Sequence, residues 1–416
     1  MSQRFLFSST AGYGHTQPLL PLARALKESG HQVAFAAREL VRPRIESADL
    51  EFFAVGSDRA LDAEYQQFKR ERDAMPIGFA LERFIYTRLF CGIAPRLMAP
   101  GLIEVGRTWQ PDVIVREGGE YGALIAAEYL GLPHATVAFT TALRGMAVFE
   151  QHAAEQLDPL REEWRLARDP TGASLYRYLY LAHCPPSFGL EDVGSPQASS
   201  PIPKTTHFIR PQFLNNLNHE RLPAWFEHLP AQPTVYLTLG TEVNREPDLY
   251  PRVMQTIIAG LRDLPINLIV TLGRDKDPSE FGSQPNNVYI ERYIPQTLLL
   301  AHCDLMVMHG GSNSLLEAID FGIPLVLVPL IADQFFNAHI ARNIGLAQVV
   351  PLEQFSPESI RAAVLQVFET PSFQQTAARL QSEMRALPDL NSAVRLLQEL
   401  ATTRKPILNT ALVAHA

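Results

Sequence analysis

The residues best suited to chemistry lie between positions 304 and 318. An apolar segment ends there at a histidine, and small or polar residues follow: His309, Gly310, Gly311, Ser312, Asn313 and Ser314. Glycines let backbone N–H groups approach an anion, and the N-terminus of a helix attracts phosphate charge. Ser312 or Asn313 could cap such a helix, and Glu317, one turn further on, could accept hydrogen bonds from a sugar diol. The pattern predicts a site for phosphate and hydroxyl groups; the alternative is an ordinary capped helix with a surface glutamate.

A second group of polar residues follows the first apolar run of the chain. Gly12, Gly14 and His15 lie between a predicted strand and a predicted helix, where open α/β sheets bind ligands. A dinucleotide fingerprint would need a third glycine in place of Gln17, so NAD binding is disfavoured, although Glu39 could imitate the ribose-binding acid. His15 acts either as a general base, since the ordinary histidine pKa of about 6.5 suits neutral pH, or as a helix cap.

A histidine base usually needs an acceptor that orients its ring. Glu117 and Glu120 follow a later predicted strand. Because the carboxyl ends of parallel strands meet at one edge of a sheet, Glu117 could meet His15. The alternative is that both glutamates are solvated loop acids.

Two further pairs of polar residues could bind a ligand. Asp333 and Gln334 follow a buried strand, and an acid beside an amide suits sugar hydroxyl groups, although Asp333 could instead cap a helix. Asp275 and Asp277 form a D-x-D pattern in a polar turn, and we disfavour a metal site there. The sequence has no H-E-x-x-H pattern and no histidine cluster, so we expect no zinc.

Most of these residues lie at the ends of predicted strands, which alternate with helices in two blocks. In the first block the predicted strands are residues 5–7, 33–36, 113–115, 135–138 and 207–209, with helices at 18–29 and 122–130. In the second block they are residues 234–239, 266–271, 288–290, 305–308, 325–328 and 347–350. We therefore predict the α/β class, with two Rossmann-like, doubly wound parallel-sheet domains facing across a cleft.

The predicted domain bounds lie where the alternation of strands and helices stops. Residues 1–211 form the N-terminal domain, the polar residues 212–233 a linker, and residues 234–385 the C-terminal domain. Ser356, Pro357 and Glu358 make a good helix start, and helices continue from there to about residue 399. Residues 386–416 are the predicted C-terminal helix and tail, and this helix could pack back on the N-terminal domain.

Composition excludes several kinds of protein. The 416 residues are 46% hydrophobic and 19% charged, which is the balance of a folded globular chain. The net charge of −8 disfavours a nucleic-acid polymer as a partner. The 3 cysteines form no C-x-x-C pattern, which disfavours a disulfide framework and fits a reducing cytosol. No apolar run reaches the roughly 18 residues of a membrane span, and the N-terminus is typical of a strand rather than a signal peptide, so we expect a cytoplasmic protein.

Together these motifs resemble the GT-B glycosyltransferases, specifically the UDP-glycosyltransferase superfamily (glycosyltransferase family one). That group includes bacterial antibiotic and plant secondary-metabolite glycosyltransferases. The resemblance covers nearly the whole chain and is most specific from Arg292 to Ala338. It implies that the C-terminal domain holds a nucleotide-sugar donor and that the N-terminal domain holds the acceptor.

The resemblance implies donor contacts residue by residue. Tyr293, where the family often has tryptophan, would stack on the pyrimidine base, and the backbone of Ile294 would pair with the edge of that base. Glu317 would bind the ribose, and Asp333 with Gln334 would bind hydroxyl groups of the transferred sugar. The residues expected around the diphosphate are Thr241, His309, Gly311, Ser312, Asn313 and Ser314.

The resemblance also implies that His15 takes the proton from the acceptor hydroxyl. The partner acid of His15 would be Glu117, where many relatives carry aspartate, with Glu120 as the alternative. Bulky apolar residues of the first block would line a pocket for a lipophilic or aromatic acceptor, or else they are plain core: Phe79, Phe84, Phe139 and Met146.

The expected activity is inverting, metal-independent transfer of a hexose from a UDP- or dTDP-sugar, a substrate rather than a cofactor, to a hydroxyl group. The expected partners are this donor and a small hydrophobic acceptor, with no integral membrane span. Three alternatives are a GT-B sugar-nucleotide epimerase, a disfavoured NAD-dependent oxidoreductase, and a catalytically silent nucleotide-sugar-binding helper protein. The sequence leaves open the acceptor, the choice of UDP or dTDP, the sugar, the linkage and the oligomeric state.

Overall fold

The structure is a computed structural model that describes residues 2–10, 12–58, 61–191, 202–213, 220–244, 246 and 248–413. Within these ranges the side chains of residues 13, 79, 145–152, 242, 411 and 413 lie outside the description. The chain divides into two compact units. Unit 1 comprises Met1–Leu214 and Leu387–Ala416, and unit 2 comprises Asn215–Ala386.

Unit 1 contains a 7-stranded parallel sheet in the order β3-β2-β1-β4-β5-β6-β7. Its central strands are apolar and buried, as strands covered by helices on both faces must be. The strands are β1 Arg4–Ser8, β2 Gln32–Ala37, β3 Glu51–Ala54, β4 Val113–Glu117, β5 His134–Val137, β6 Leu179–Ala182 and β7 Thr206–Phe208. All strands predicted for the first block are present, but the sequence analysis missed β3 and β6.

The helices of unit 1 cover the sheet and carry its loops. The first nine are α1 Tyr13–Thr16, α2 Leu20–Glu28, α3 Arg42–Ser47, α4 Ala63–Asp73, α5 Phe79–Ile85, α6 Ala94–Trp109, α7 Tyr121–Tyr129, α8 Leu143–Glu163 and α9 Pro186–Gly189. Helix α2 buries Leu22, Ala23 and Leu26 at helical spacing, and Gly30, with φ of 86°, follows its end. A π-helical segment, Tyr86–Ile93, joins α5 to α6.

Unit 2 contains a 6-stranded parallel sheet in the order β10-β9-β8-β11-β12-β13. The strands are β8 Thr234–Thr238, β9 Asn267–Thr271, β10 Val288–Glu291, β11 Leu305–Met308, β12 Leu325–Leu327 and β13 Ala347–Val349. The helices are α10 Gly240–Val243, α11 Arg252–Leu261, α12 Gln296–Leu300, α13 Ser312–Phe321, α14 Gln334–Asn343, α15 Pro357–Glu369 and α16 Pro371–Ala386. All strands predicted for the second block are confirmed, and α15 begins at the predicted Ser356 cap with a capping box to Ser359.

The end of the chain belongs to unit 1. Two helices lie there, α17 Leu390–Thr403 and α18 Thr410–Val413. The side chain of Asp389 caps α17 by accepting from the N–H of Ser392. Val394, Leu397 and Leu400 of α17 join the core that contains Phe5 of β1. The core of unit 1 is thus built from two separate stretches of sequence.

Each sheet has a switch point beside its first strand. In unit 1, β1 lies between β2 and β4, and in unit 2, β8 lies between β9 and β11. Ser8 pairs with Arg116 across β1 and β4, and Thr238 pairs with Met308 across β8 and β11, so each pair of strands ends together. Ligands of open α/β sheets bind outside the carboxyl ends of the strands at such points. The residues just beyond these strand ends are therefore the first candidates for function.

One helical stretch among the described residues, Ala80–Trp109, is long and apolar enough by length and composition to cross a membrane. Of its most apolar window, 56% is buried inside the structure. A core helix meets the same two criteria.

Candidate functional site

One candidate site, in unit 1, lies at the carboxyl ends of β1 and β4. His15 is in the short helix α1, and Glu117 is the last residue of β4. The Nδ1 atom of His15 lies 3.2 Å from the Oε1 atom of Glu117; the His15 side chain is 20% exposed and the Glu117 side chain is fully buried. An imidazole that donates from Nδ1 keeps its lone pair on Nε2. A carboxylate beside Nδ1 favours a proton on that nitrogen, which is the tautomer that a general base needs.

The ionised form of Glu117 is well supported. Its Oε2 atom accepts from the N–H of Gly119 at 2.7 Å, and its Oε1 atom accepts from the N–H of Thr10 at 3.3 Å. Burial pushes the pKa of Glu117 upward, but His15 and the donors around the carboxylate outweigh burial and hold that pKa below its ordinary value. Glu117 is thus a buried carboxylate, and not the solvated loop acid of the alternative.

Glu120 has a different role, as the N-cap of α7. Its carboxylate accepts from the N–H of Gly122 at 3.1 Å and from the N–H of Ala123 at 2.7 Å. Burial is the main cause that raises the pKa of Glu120 to about 7, and the hydrogen bond from Ala123 acts against it. The structure therefore brings Glu117, rather than Glu120, to His15.

One of the residues predicted to line the acceptor pocket lies against His15. The phenyl ring of Phe139 stacks on the imidazole, with ring centroids 4.8 Å apart. Phe84 stacks instead on Phe68, at 5.5 Å. The side chains of Phe79 and Met146 lie outside the described residues.

A second aromatic ring, that of Phe90, also lies against His15. Phe90 stacks on the imidazole at 5.4 Å, although it lies far along the chain in the π-helical segment. No spacing in the sequence connects Phe90 with His15, so only the folded structure could reveal this contact.

A separate candidate site, in unit 2, lies at the carboxyl ends of β8 and β11. His309 follows β11, and two glycines leave room for its ring. A Cβ atom on Gly240 would lie 2.7 Å from the Cε1 atom of His309, and one on Gly311 would lie 2.5 Å from its Nε2 atom. Gly240 and Gly310 also have positive φ values, 71° and 93°, which favour glycine. Glycines were predicted to let the backbone approach an anion. In the structure, Gly240 and Gly311 make room for the imidazole ring of His309.

His309 is buried and electrically neutral at neutral pH. The residue is only 9% exposed, and its Nδ1 atom has no hydrogen-bond partner among the described residues. Burial lowers the pKa of His309 to about 4. A buried nitrogen without a partner is a place where a ligand atom can bind.

Helix α13 begins differently from the prediction. The N-cap residue is Gly311, so the prediction that Ser312 or Asn313 is the cap was wrong. The reason is that the hydroxyl of Ser312 donates to Asp333 Oδ2 at 2.5 Å and accepts from Asn337 Nδ2 at 3.0 Å. Because Gly311 has no side chain, the N-cap residue itself does not compete for the N-terminus of α13, where an anion can bind.

The predicted sugar-binding pair is tied into the protein. Asp333 takes the N-cap position of α14 without a side-chain capping bond, and its Oδ2 atom also accepts from Asn337 Nδ2 at 3.2 Å. Gln334 is buried, and its Oε1 atom accepts from the N–H groups of Leu330 and Ile331 at 2.9 and 3.0 Å. These contacts fix both side chains just beyond β12.

Glu317 is buried in α13 and is not the surface glutamate of the alternative. Its carboxylate accepts from Gln296 Nε2 and from Thr297 Oγ1. Both partners belong to α12, so α12 orients the carboxylate that was predicted to bind the ribose.

Tyr293 is 40% exposed, while its neighbour Ile294 is buried. The Tyr293 hydroxyl donates to the Glu220 carboxylate at 3.0 Å, and the guanidinium carbon of Arg274 lies 3.5 Å from the centroid of the Tyr293 ring. Arg274 also forms an ion pair with Glu220, at 3.4 Å. The ring predicted to stack on a base is thus held in a cluster of charged residues.

The remaining predicted positions are placed as follows. Thr241 is exposed in α10, and Asn313 and Ser314 are half-buried in the first turn of α13. Asp277 caps a short 3₁₀ helix, Pro278–Phe281, by accepting from the N–H of Ser279 at 3.1 Å. No cluster of three metal-binding side chains occurs among the described residues.

Comparisons with known proteins now add to this geometry. A family model for the C-terminal domain of erythromycin biosynthesis protein CIII-like proteins matches residues 255–400. The chain is 25% identical to the 3-alpha-mycarosylerythronolide B desosaminyl transferase of Saccharopolyspora erythraea, over 97% of this chain and 99% of that protein. It is 26% identical to the 10-deoxymethynolide desosaminyltransferase of Streptomyces venezuelae, over 97% of this chain and 98% of that protein.

Solved structures show the same architecture. The glycosyltransferase VinC, solved in complex with dTDP, superposes with a TM-score of 0.74 at 26% identity, covering 96% of this chain and 99% of that one. The spinosyn rhamnosyltransferase SpnG has a TM-score of 0.76 at 22% identity, covering 95% of this chain and 100% of that one, a likeness that speaks for the fold.

Proposed function

This chain is a glycosyltransferase of the GT-B fold, and from that premise we propose the reaction it catalyses. It transfers a hexose from a UDP- or dTDP-sugar to a hydroxyl group of a lipophilic or aromatic small molecule of the natural-product type. The configuration at the anomeric carbon inverts, and no metal ion is needed. Relatives named as desosaminyl transferases and a relative solved with dTDP support the donor class.

The contact between His15 and Glu117 carries the proposal. The Nε2 atom of His15 accepts the proton of the acceptor hydroxyl while the hydroxyl oxygen forms a bond to the anomeric carbon. The bond from that carbon to the phosphate oxygen breaks, and its electron pair leaves with the nucleoside diphosphate. Glu117 stays ionised and stabilises the imidazolium across the 3.2 Å contact. General-base help of this kind is worth about 10²–10⁴-fold in rate.

The leaving diphosphate is held at the start of α13. The N-terminus of that helix and the side chains of Thr241, Asn313 and Ser314 offer hydrogen bonds to its oxygens. His309, which is neutral because burial lowers its pKa to about 4, adds another donor through the N–H of its imidazole. The charge that develops on the leaving group is thus met by groups of the chain itself, which supports the metal-independent reaction.

The remaining contacts with the donor come from residues before α12, within α13 and at the start of α14. Tyr293 stacks on the pyrimidine and Ile294 pairs with its edge through the backbone. Glu317, held by α12, binds the ribose hydroxyls. Asp333 and Gln334 bind the hexose hydroxyls from the start of α14.

The two alternatives, a sugar-nucleotide epimerase and a silent binding protein, can be distinguished from a transferase by what happens to the donor with and without an acceptor. The purified protein is incubated with UDP-glucose or dTDP-glucose and a chelator, with and without a panel of phenols and macrolide alcohols. Transfer predicts that nucleoside diphosphate is released only when an acceptor is present, together with a glycoside of inverted anomeric configuration. Release or epimerisation of the sugar without an acceptor would identify an epimerase. Donor binding without turnover across the panel would identify a silent binding protein.

A further inference from the structure

His15 is one of four aromatic rings that stack in succession in unit 1. Tyr86 stacks on Phe90 with centroids 5.8 Å apart and planes 22° apart. Phe90 stacks on His15 at 5.4 Å and 28°, and His15 stacks on Phe139 at 4.8 Å and 24°. We name this set, Tyr86, Phe90, His15 and Phe139, the aromatic column. The imidazole is an inner member of the column, with a phenyl ring as each neighbour.

The column is anchored at its Tyr86 end. The hydroxyl oxygens of Tyr86 and Tyr121 lie 2.5 Å apart, and both residues are buried. Tyr121 begins α7, and its ring lies 5.4 Å from the guanidinium carbon of the fully buried Arg116. Arg116 in turn donates to the carbonyl of Gly118 at 2.9 Å. The anchor is therefore the same β4–α7 segment that carries Glu117.

Glycines leave the space that the column occupies. A Cβ atom on Gly118 would lie 3.0 Å from Phe139, and one on Gly119 would lie 3.3 Å from Phe90. The Gly-Gly pair directly after Glu117 thus allows both phenyl rings to approach. Neither glycine has a positive φ, so the backbone does not require glycine there. Glycine is needed because a side chain would collide with the phenyl rings.

The segment that carries Tyr86 and Phe90 is a π-helix of 8 residues, Tyr86–Ile93. Such segments are rare and often occur at functional sites, because the wider turn changes the direction of the side chains. Here the two residues that join the column both come from this segment.

From these observations we propose that Phe90 and Phe139 are positioning residues for His15, an inference that rests on the proposed function. The χ2 torsion of histidine has broad minima, so one contact from Nδ1 to Glu117 fixes a point of the ring but not its plane. Stacking on two phenyl rings fixes the plane. The aromatic column therefore keeps Nε2 pointing in one direction while Nδ1 stays at Glu117. Because the ring is already held in its reactive orientation, less entropy is lost on reaching the transition state for proton transfer.

The first test measures the position of the ring without any substrate. Protein labelled with ¹³C at the histidine Cε1 position is examined by NMR, and His15→Ala identifies the His15 signal. Because aromatic neighbours shield a stacked proton, Phe90→Leu and Phe139→Leu should each move the His15 signal downfield, while Phe90→Tyr should leave it near its original place. Both phenylalanines are half-buried, so these variants are expected to fold. Phe68→Leu, which removes a buried ring outside the column, is the matched control and should not move the signal.

The second test measures catalysis with the acceptor found in the donor assay. Phe90→Leu and Phe139→Leu should lower kcat by about 10- to 100-fold with the donor KM unchanged, and Phe90→Tyr should retain activity. An unmoved His15 signal in both leucine variants, or an undiminished kcat in both, overturns the inference. If the wild-type protein shows no transfer, the proposed function fails, and the NMR signals alone still decide whether the column holds the ring.

Discussion

A Cβ atom on Gly311 would lie 2.5 Å from the Nε2 atom of His309, closer than side chains normally approach. Gly311 has φ of −66°, a conformation that any residue adopts, so the glycine is required by the neighbouring ring and not by the backbone. Gly311 is also the N-cap of α13. One residue thus sets both the start of the helix and the place of the histidine.

Gly311→Ala should displace the His309 ring and weaken the binding of UDP or dTDP. Losing one hydrogen bond to a charged group costs about 1.5–3 kcal/mol, which is about 10- to 150-fold in affinity. Calorimetric titration with each nucleoside diphosphate measures the change. In the double variant with His309→Ala the clash is absent, so Gly311→Ala should add little to the loss caused by His309→Ala. Additive losses would show that Gly311 acts on the diphosphate by another route.

Removing the base should affect turnover and leave donor binding intact. His15→Ala is expected to lower kcat by about 10²–10⁴-fold, and Glu117→Gln, which leaves a neutral partner on Nδ1, by about 10²-fold or more. Rates are measured with the identified acceptor and binding by calorimetry. Glu120→Gln is the control, because Glu120 caps α7 instead of contacting His15, and it should change thermal stability but not kcat. Full activity in His15→Ala would remove the general base from the mechanism.

Tyr293 should contribute to donor affinity through its ring. Stacking of a base on an aromatic side chain is worth about 1–3 kcal/mol, so Tyr293→Ala should weaken UDP or dTDP binding by about 5- to 150-fold. Tyr293→Phe keeps the ring and removes only the hydroxyl that donates to Glu220. Equal losses in the two variants would assign the effect to the hydroxyl and the Glu220 contact, and not to stacking.

Buried histidines should make the fold sensitive to acid. Burial, helped by the charge of Arg116, lowers the pKa of His134 from 6.5 to about 3. As the pH falls, His134 takes up a proton near pH 6.5 in the unfolded chain but only near pH 3 in the folded chain. The free energy of unfolding therefore decreases as the pH falls from 6.5 to about 3. His183 and His309, with pKa values lowered to about 4 by burial, act in the same direction.

His134→Phe removes one of these protons and keeps an aromatic ring beside Tyr178, which His134 contacts edge-on at 5.5 Å. Between about pH 6 and pH 4.5, the free energy of unfolding of the variant should fall less steeply than that of the wild type, by about 1.4 kcal/mol per pH unit. Urea titrations at several pH values give both slopes. Above about pH 7.5 the two slopes should coincide, because the imidazole is then neutral in both states. Parallel slopes in acid would show that His134 titrates equally in both states.

The sheets could be predicted from sequence because their strands are short apolar runs with glycine or polar residues directly after them. Residues 305–308 were predicted and observed with the same bounds. Strand β6 was missed although Leu179 and Leu181 are fully buried, since the proline- and serine-rich residues around it interrupt the pattern. Strand β3 was missed because its residues are exposed or half-buried, whereas the prediction relied on buried apolar runs.

Within the site, sequence reasoning found residues that lie close to each other in the chain or at matching strand ends. His15 and Glu117 fall in this class, since adjacent parallel strands present both to one edge. The contact of Phe90 with His15 depends on a π-helical turn and on glycines after Glu117, and no local pattern encodes it. The prediction that Ser312 caps α13 was wrong because its hydroxyl donates instead to Asp333, which lies in a later loop.

The return of the chain to unit 1 after residue 386 has a consequence for synthesis. On the ribosome, β1 and α2 are made before unit 2, but Leu397 and its neighbours in α17, which cover them, emerge only after unit 2. Unit 2 is continuous in sequence and can fold in the meantime. A nascent chain that stalls before Leu390 leaves an apolar face of the first sheet uncovered, and that face is what chaperones and proteases would recognise.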